Sequence, residues 1–108
     1  MLRPVSAPFT ISSEKFRACA ARGAPLDVID VRRGYEREKE KLDDDLHIPL
    51  GELEARLKEI VPRPRATVVV YCRIGKRSLT AARILSTHGF ERCVSLEGGL
   101  DAYNEVAA

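Results

Sequence analysis

The stretch "VVVYCRIGKRSLTAARIL", residues 68–85, runs from an unbroken apolar segment through one cysteine and one glycine into a helical pattern. Apolar residues without alternation, flanked by turn material, mark a strand buried on both faces, here over 67–71. Between Ser78 and His88, Leu79, Ala82 and Leu85 fall on one inner stripe, and Gly89 supplies a C-terminal stop. Cys72 therefore stands at the carboxyl end of a buried strand, directly before a helix.

Arg73, Ile74, Gly75, Lys76 and Arg77 separate the thiol from that helix. The first backbone N–H groups of a helix lack partners and point into the preceding loop, where the helix dipole adds positive potential. Gly75 can take backbone angles closed to other residues, so the loop can curl and bring successive N–H groups together. Arg73, Lys76 and Arg77 add full charges, and Ser78 can cap the helix and brace the loop. Every one of these features favours a sulfur anion. A lone cysteine ending a strand is otherwise an inert small residue, but inert buried cysteines do not sit in electropositive cradles.

Outward from this loop, strands and helices alternate. Phe9 to Ile11 is a short apolar piece, and Ser12 or Ser13 can cap a helix reaching about Arg22, with Phe16, Cys19 and Ala20 on one face. Gly23, Ala24 and Pro25 break it. "LDVIDV", residues 26–31, reads as a strand. "RRGYEREKEKLDDDL", residues 32–46, is a dense mixed-charge run that predicts a solvated helix and loop. Its three aspartates lack the alternating oxygen ligands of a calcium loop, and no metal site is expected. "HIPL", residues 47–50, is a short strand confined to an edge by Pro49. "GELEARLKEI" places Leu53, Leu57 and Ile60 at helical spacing before Pro62 and Pro64 end it. "CVSL", residues 93–96, is the closing strand, and Gly98-Gly99 leads into a last helix from about Leu100 to Val106.

This order predicts an α/β fold: a mostly parallel five-stranded sheet with helices on both faces and right-handed crossovers. Ligands in such folds bind beyond the carboxyl ends of the strands, where Cys72 lies. The 108 residues suit one domain over 1–108, with 1–8 a flexible or loosely packed lead-in. A net charge of +2 gives no support for a nucleic-acid or membrane partner. No leader and no bilayer-spanning stretch is legible, so a cytoplasmic location is the default. Cys19, Cys72 and Cys93 form no C-x-x-C pair and read as free thiols, with Cys19 and Cys93 in the core and Cys93 a conceivable sulfur-relay partner. Asp30 and Arg32, at the end of a strand near the loop, form an ion pair or orient the loop. His47 is not needed as a base by a thiolate already formed, and His88 suits a helix C-terminus.

"YCRIGKRS" resembles the active-site loop of the rhodanese family. "LDVIDVR", "HIPLGEL" and "GFERCVSLEGGLDAY" resemble that family's Asp-Val-Arg strand, the lead into its third helix, and its closing strand with the Gly-Gly turn. The likeness runs from about residue 9 to residue 105. Two segments depart from the pattern. "EKLDDD", residues 40–45, stands where a Gly-His-Ile-Pro-Gly-Ala stretch usually precedes the short third strand, and Tyr103 stands where a tryptophan is common.

The resemblance implies a sulfurtransferase without a cofactor. Cys72 would take the outer sulfur of thiosulfate or a persulfide, and the amides of the loop from Ile74 to Ser78 would hold it. Arg73 and Arg77, then Lys76, would bind the small sulfur-containing anion. The acceptor would be a thiol, thioredoxin or a sulfur-carrier protein. Two other readings stay open. A phosphatase or arsenate reductase uses a similar cradle, usually one residue longer between cysteine and arginine than the four residues that separate Cys72 from Arg77. The same fold also serves as a non-catalytic binding module.

Overall fold

The computed structural model describes residues 9–107, so the lead-in expected at residues 1–8 lies outside the described residues. Five strands form one sheet: β1 (Thr10–Ile11), β2 (Leu26–Asp30), β3 (Leu46–His47), β4 (Thr67–Tyr71) and β5 (Cys93–Leu96), in the order β1-β5-β4-β2-β3. Every pairing is parallel. β4 is central and apolar throughout because both its faces are covered. Val68, Val70 and Cys72 pack toward Ala81, Ala82 and Leu85 of α2 (Lys76–Thr87). Val69 and Tyr71 pack toward Phe16 of α1 (Ser13–Ala21) and Leu100 of α3 (Gly99–Ala107). The period-two alternation of a strand thus gives Tyr71 and Cys72 to opposite faces. Among the described residues no helix is long and apolar enough to cross a membrane.

Three elements differ from the sequence reading, each for a local reason. The helix expected over 51–60 is a pair of 3₁₀ segments, Leu50–Glu52 and Glu54–Glu59, kinked at Arg56. A segment this short, bounded by Pro49 and Pro62, gains more from sinking Leu53 and Ile60 into the core than from a regular ladder. β3 covers Leu46–His47 rather than 47–50, although Ile48 N–H still reaches Asp30 O at 2.9 Å and Leu50 N–H reaches Val31 O at 3.0 Å. Pro49, having no N–H, falls between those two bonds. α2 begins at Lys76, two residues before Ser78, so its buried stripe is Ser78, Ala81, Ala82 and Leu85, and Leu79 is only half-buried.

In α1, Ser12 caps the helix by accepting Lys15 N–H at 3.1 Å. Ser13 and Phe16 are buried, whereas Cys19 is half-exposed and Ala20 exposed, so Cys19 is not a core residue. Nine residues laid along α3 present one narrow stripe inward, and that stripe passes through Phe16.

Most of the charge run is a solvated turn and loop, as expected: Arg33, residues 38–41, Asp43 and Asp44 are exposed. A few of its charges turn inward instead. Asp30 is fully buried and accepts Arg32 Nε at 3.0 Å, Arg32 Nη2 at 3.0 Å and Arg37 Nη1 at 2.8 Å. Arg37 also forks onto Asp45 at 2.7 and 2.9 Å, and the Tyr71 hydroxyl donates to Asp45 at 2.5 Å while accepting Leu42 N–H at 3.1 Å. Residues 40–45, the segment that departs from the rhodanese pattern, are thereby tied to the strand that carries Cys72. Buried charges must find complete sets of partners, and the guanidinium forks supply them here.

Burial opposes the charge on Asp45, yet Arg37 and the Tyr71 hydroxyl hold its carboxyl below the ordinary carboxylate range. A depressed carboxylate stabilises the fold above its unfolded value, and the contribution is lost as pH falls through the folded one. Asp45→Asn is therefore expected to lower stability at neutral pH by about 2 kcal/mol. In thermal melts the gap to the unsubstituted protein should close on acidification; a gap unchanged down to about pH 3 would contradict the assignment.

Candidate active site

Cys72 follows the last residue of β4, and its residue is 1 % exposed. Apolar neighbours cover its flanks, but its sulfur is not simply packed away. Sγ accepts the Gly75 N–H at 3.1 Å and the Ser78 N–H at 3.3 Å. As a thiol it donates to Ser78 Oγ at 3.4 Å. The turn therefore wraps back over the sulfur, with the first amides of α2 aimed at it.

Gly75 permits this by standing at φ +98° as the residue that caps α2. The loop is fixed from outside as well. α3 begins directly against it: Leu100 N–H bonds Cys72 O at 3.0 Å and Asp101 N–H bonds Arg73 O at 3.1 Å. Gly99 makes that approach possible, because a Cβ there would stand 2.5 Å from Cys72 O and nearer still to Arg73 O. The double glycine is more than a turn signal. It lets one helix N-terminus clamp the strand end that carries the thiol.

The cations of the loop separate into two kinds. Arg73 is exposed and lies 3.8 Å from Asp101, and Lys76 is also exposed. Arg77 is half-buried and forks onto Glu36 at 2.7 and 3.0 Å. Glu36, from the 3₁₀ segment Gly34–Glu38, is held down to about 2, chiefly by the Arg77 hydrogen bond. Arg77 in turn is pushed up, first by its hydrogen bonds to Glu36 and against the opposing effect of burial. Asp30 and Arg32 lie behind this pair in the buried network, and Arg32 reaches the Glu36 and Glu40 carbonyls at 3.3 and 2.8 Å. They brace the segment that presents Glu36.

Two hollows flank the ion pair. One of about 590 Å³ is lined by Arg33, Gly34, Leu50, Glu52 and Arg77 among others. The other, about 120 Å³, is bounded by Tyr35, Glu36, Lys39 and Arg73 together with Arg32 and Glu40. Ile74, 53 % exposed, lies within the cysteine loop between Arg73 and Gly75. A hollow of about 510 Å³ lined by Arg63, Ala66, His88 and Phe90 touches no residue of the cysteine loop.

Other sequence candidates fall away from the sulfur. Cys93 pairs with Val68, four residues before Cys72 along β4. At roughly 3.3 Å per residue this puts it at the opposite end of the sheet. Burial pushes its thiol up to about 12. Cys93 is thus a core residue, as expected, and not a relay partner. His47 Nε2 bonds the Arg32 carbonyl at 2.7 Å, and His88 lies 3.5 Å from Glu54. Among the described residues no three His, Cys, Asp or Glu side chains converge as metal ligands.

Two site residues escaped the sequence reading. Glu36 gives no local signal, since it meets Arg77 from 41 residues away. Ser95 does give one: it is a lone polar residue in an otherwise apolar closing strand. Its Oγ lies 2.6 Å from Ser78 Oγ, and both side chains are buried.

Residues 13–106 match the family model described as a rhodanese-like domain. A sulfurtransferase of Allochromatium vinosum is 33% identical over 93 residues, covering 86% of this chain and 85% of its own. A putative sulfur carrier protein of Bacillus subtilis, YrkF, is 33% identical over 90 residues, 83% of this chain; the match spans 48% of that relative, about half its length. Among solved structures, the human single-domain sulfurtransferase TSTD1 superposes with a TM-score of 0.77 at 26% identity, covering 93% of this chain and 97% of that one.

Proposed function

The chain belongs to the family of rhodanese-like domains, and from that premise we propose that it is a sulfurtransferase carrying a sulfane sulfur on Cys72. The observation that supports this most is the pair of amides, Gly75 and Ser78, aimed at Sγ from one turn. Thiolate Sγ attacks the outer sulfur of a donor such as thiosulfate. A new S–S bond forms to Cys72, the donor's own S–S bond breaks, and its electron pair leaves with sulfite. The negative charge now rests on the outer sulfur, which faces the free amides of the loop and the cations around it. An acceptor nucleophile then takes that sulfur, and the electrons of the breaking bond return to Sγ. Nothing is oxidised or reduced overall, so no cofactor is required.

Burial of Cys72 adds a size rule. Only a narrow terminal atom can enter the loop, and a sulfane sulfur is one. Arg77 holds the anion beside the loop, while exposed Arg73 and Lys76 draw it in. Exposed Ile74 in the loop, and Tyr35 lining the hollow shared with Arg73, offer apolar contact to a protein acceptor such as thioredoxin or a sulfur carrier. A small thiol needs neither. Three unpaired cysteines suit a reducing compartment, the cytoplasm.

The test is direct. The protein is incubated with thiosulfate, its mass is read for one added sulfur on the Cys72 peptide, and cyanide is added to release thiocyanate. Absence of both signals with thiosulfate and with a persulfide donor, alongside turnover of an aryl phosphate, would replace this reading. Arg77→Ala is expected to raise the KM for thiosulfate roughly tenfold, as loss of a charge-assisted contact does. Arg73→Ala, at an exposed position, should raise it only about twofold.

A further inference from the structure

Cys72, Ser78 and Ser95 form a line of three hydrogen-bonding groups: Cys72 Sγ to Ser78 Oγ at 3.4 Å, then Ser78 Oγ to Ser95 Oγ at 2.6 Å. All three residues are at most 1 % exposed. Ser95 sits on β5 with its Cα opposite Val70 of β4, so the line crosses from the catalytic loop to a neighbouring strand. Among the described residues the Ser95 hydroxyl has no partner besides Ser78.

The donors in this line can be counted in each state of the sulfur. With Cys72 as a thiol, three hydrogens share two links, so whichever way the Ser78–Ser95 bond runs, one buried hydrogen is left without an acceptor in the line. With Cys72 as a thiolate, both hydroxyls rotate. Ser95 donates to Ser78, Ser78 donates to Sγ, and every hydrogen in the line is used. A buried donor without a partner is unfavourable, and a hydrogen bond to an ion is stronger than one between neutral groups. Hydrogen matching therefore favours the anion.

We propose that Ser95 is a positioning residue for the sulfur chemistry: it turns the Ser78 hydroxyl toward Cys72 Sγ whenever that sulfur is negative. No proton passes along the line. The thiol proton goes to solvent, and the two hydroxyls reorient about their Cβ–Oγ bonds. The arrangement serves both halves of the transfer, since Sγ is the nucleophile in the first and the leaving group in the second. The inference rests on Cys72 being the reacting thiol and deepens that reading.

The experiment follows thiolate absorbance near 240 nm against pH, with the Cys72→Ser protein subtracted to remove Cys19 and Cys93. Ser95→Ala is expected to move the midpoint up by about one pH unit, a tenfold loss of thiolate below the midpoint. Ser95→Thr keeps the hydroxyl and should leave the midpoint in place. In the Ser78→Ala background, Ser95→Ala should add nothing, because Ser95 acts only through Ser78. An unshifted Ser95→Ala protein would overturn the proposal, as would a threonine variant shifted like the alanine one or additive shifts in the double variant. The measurement uses no sulfur donor, so a protein inert toward both thiosulfate and a persulfide donor that still shows the shift would sink the functional reading and leave the positioning of Ser78 by Ser95 standing.

Discussion

Cys72→Ser is expected to abolish sulfur transfer: no sulfur gained from thiosulfate, no thiocyanate on adding cyanide, and turnover down by at least about 10³-fold. The serine oxygen can accept the same Gly75 and Ser78 amides that Sγ accepts, so the loop keeps its shape. What is lost is chemistry, because a hydroxyl at neutral pH neither ionises there nor makes a stable bond to sulfur. Circular dichroism and the melting temperature should therefore stay near those of the unsubstituted protein. Turnover that persists in this variant would remove the central assignment.

Gly99→Ala should do the reverse, damaging the frame first and the chemistry through it. Gly99 stands at φ +62°, and an added Cβ would overlap the backbone carbonyls of both Cys72 and Arg73. Backbone on that side cannot swing away as a flexible side chain would, because those same carbonyls take the amides of Leu100 and Asp101. The expected loss is about 4 kcal/mol, large for one methyl group and of the size that follows when a special backbone position is broken. Gly89→Ala is the control. It has a comparable φ of +91°, with no atom within 4 Å of the added Cβ, so only backbone strain of about 1 kcal/mol applies. Urea unfolding compares the two; equal losses would show that the clamp over the cysteine loop carries no special weight.

The parts of this site legible in the sequence are those made by neighbours in the chain. β4, the loop and α2 declare themselves because an apolar run, a glycine and a helical stripe follow one another within twenty residues. The parts that were not legible are made across the sheet. Nothing near Glu36 announces Arg77, and the lone serine of the closing strand signals a role without naming Ser78 as its partner, since contacts at that range are decided by the tertiary fold. The charge run is solvated over most of its length, and its inward-turning members stay hidden for a related reason. Mixed charges usually mark a solvated face, but Asp30 and Tyr71 supply buried partners from two adjacent strands, and Arg32 and Arg37 turn inward to meet them. Gly98-Gly99 could be seen as punctuation; only the carbonyls of Cys72 and Arg73 reveal why a side chain is forbidden at Gly99. In the 50–60 segment the spacing of Leu53 and Ile60 correctly named the buried residues, while the backbone between them took 3₁₀ turns that spacing alone does not distinguish.

The clamp by Leu100 and Asp101 also bears on how the protein is made. A ribosome delivers the thiol long before it delivers the residues that close over it. Until β5 and the start of α3 emerge, the nascent chain lacks Ser95 behind Ser78 and any cap on the strand end, so its cysteine is an ordinary unguarded one. Competence waits until Ser95, Leu100 and Asp101 have followed the thiol out.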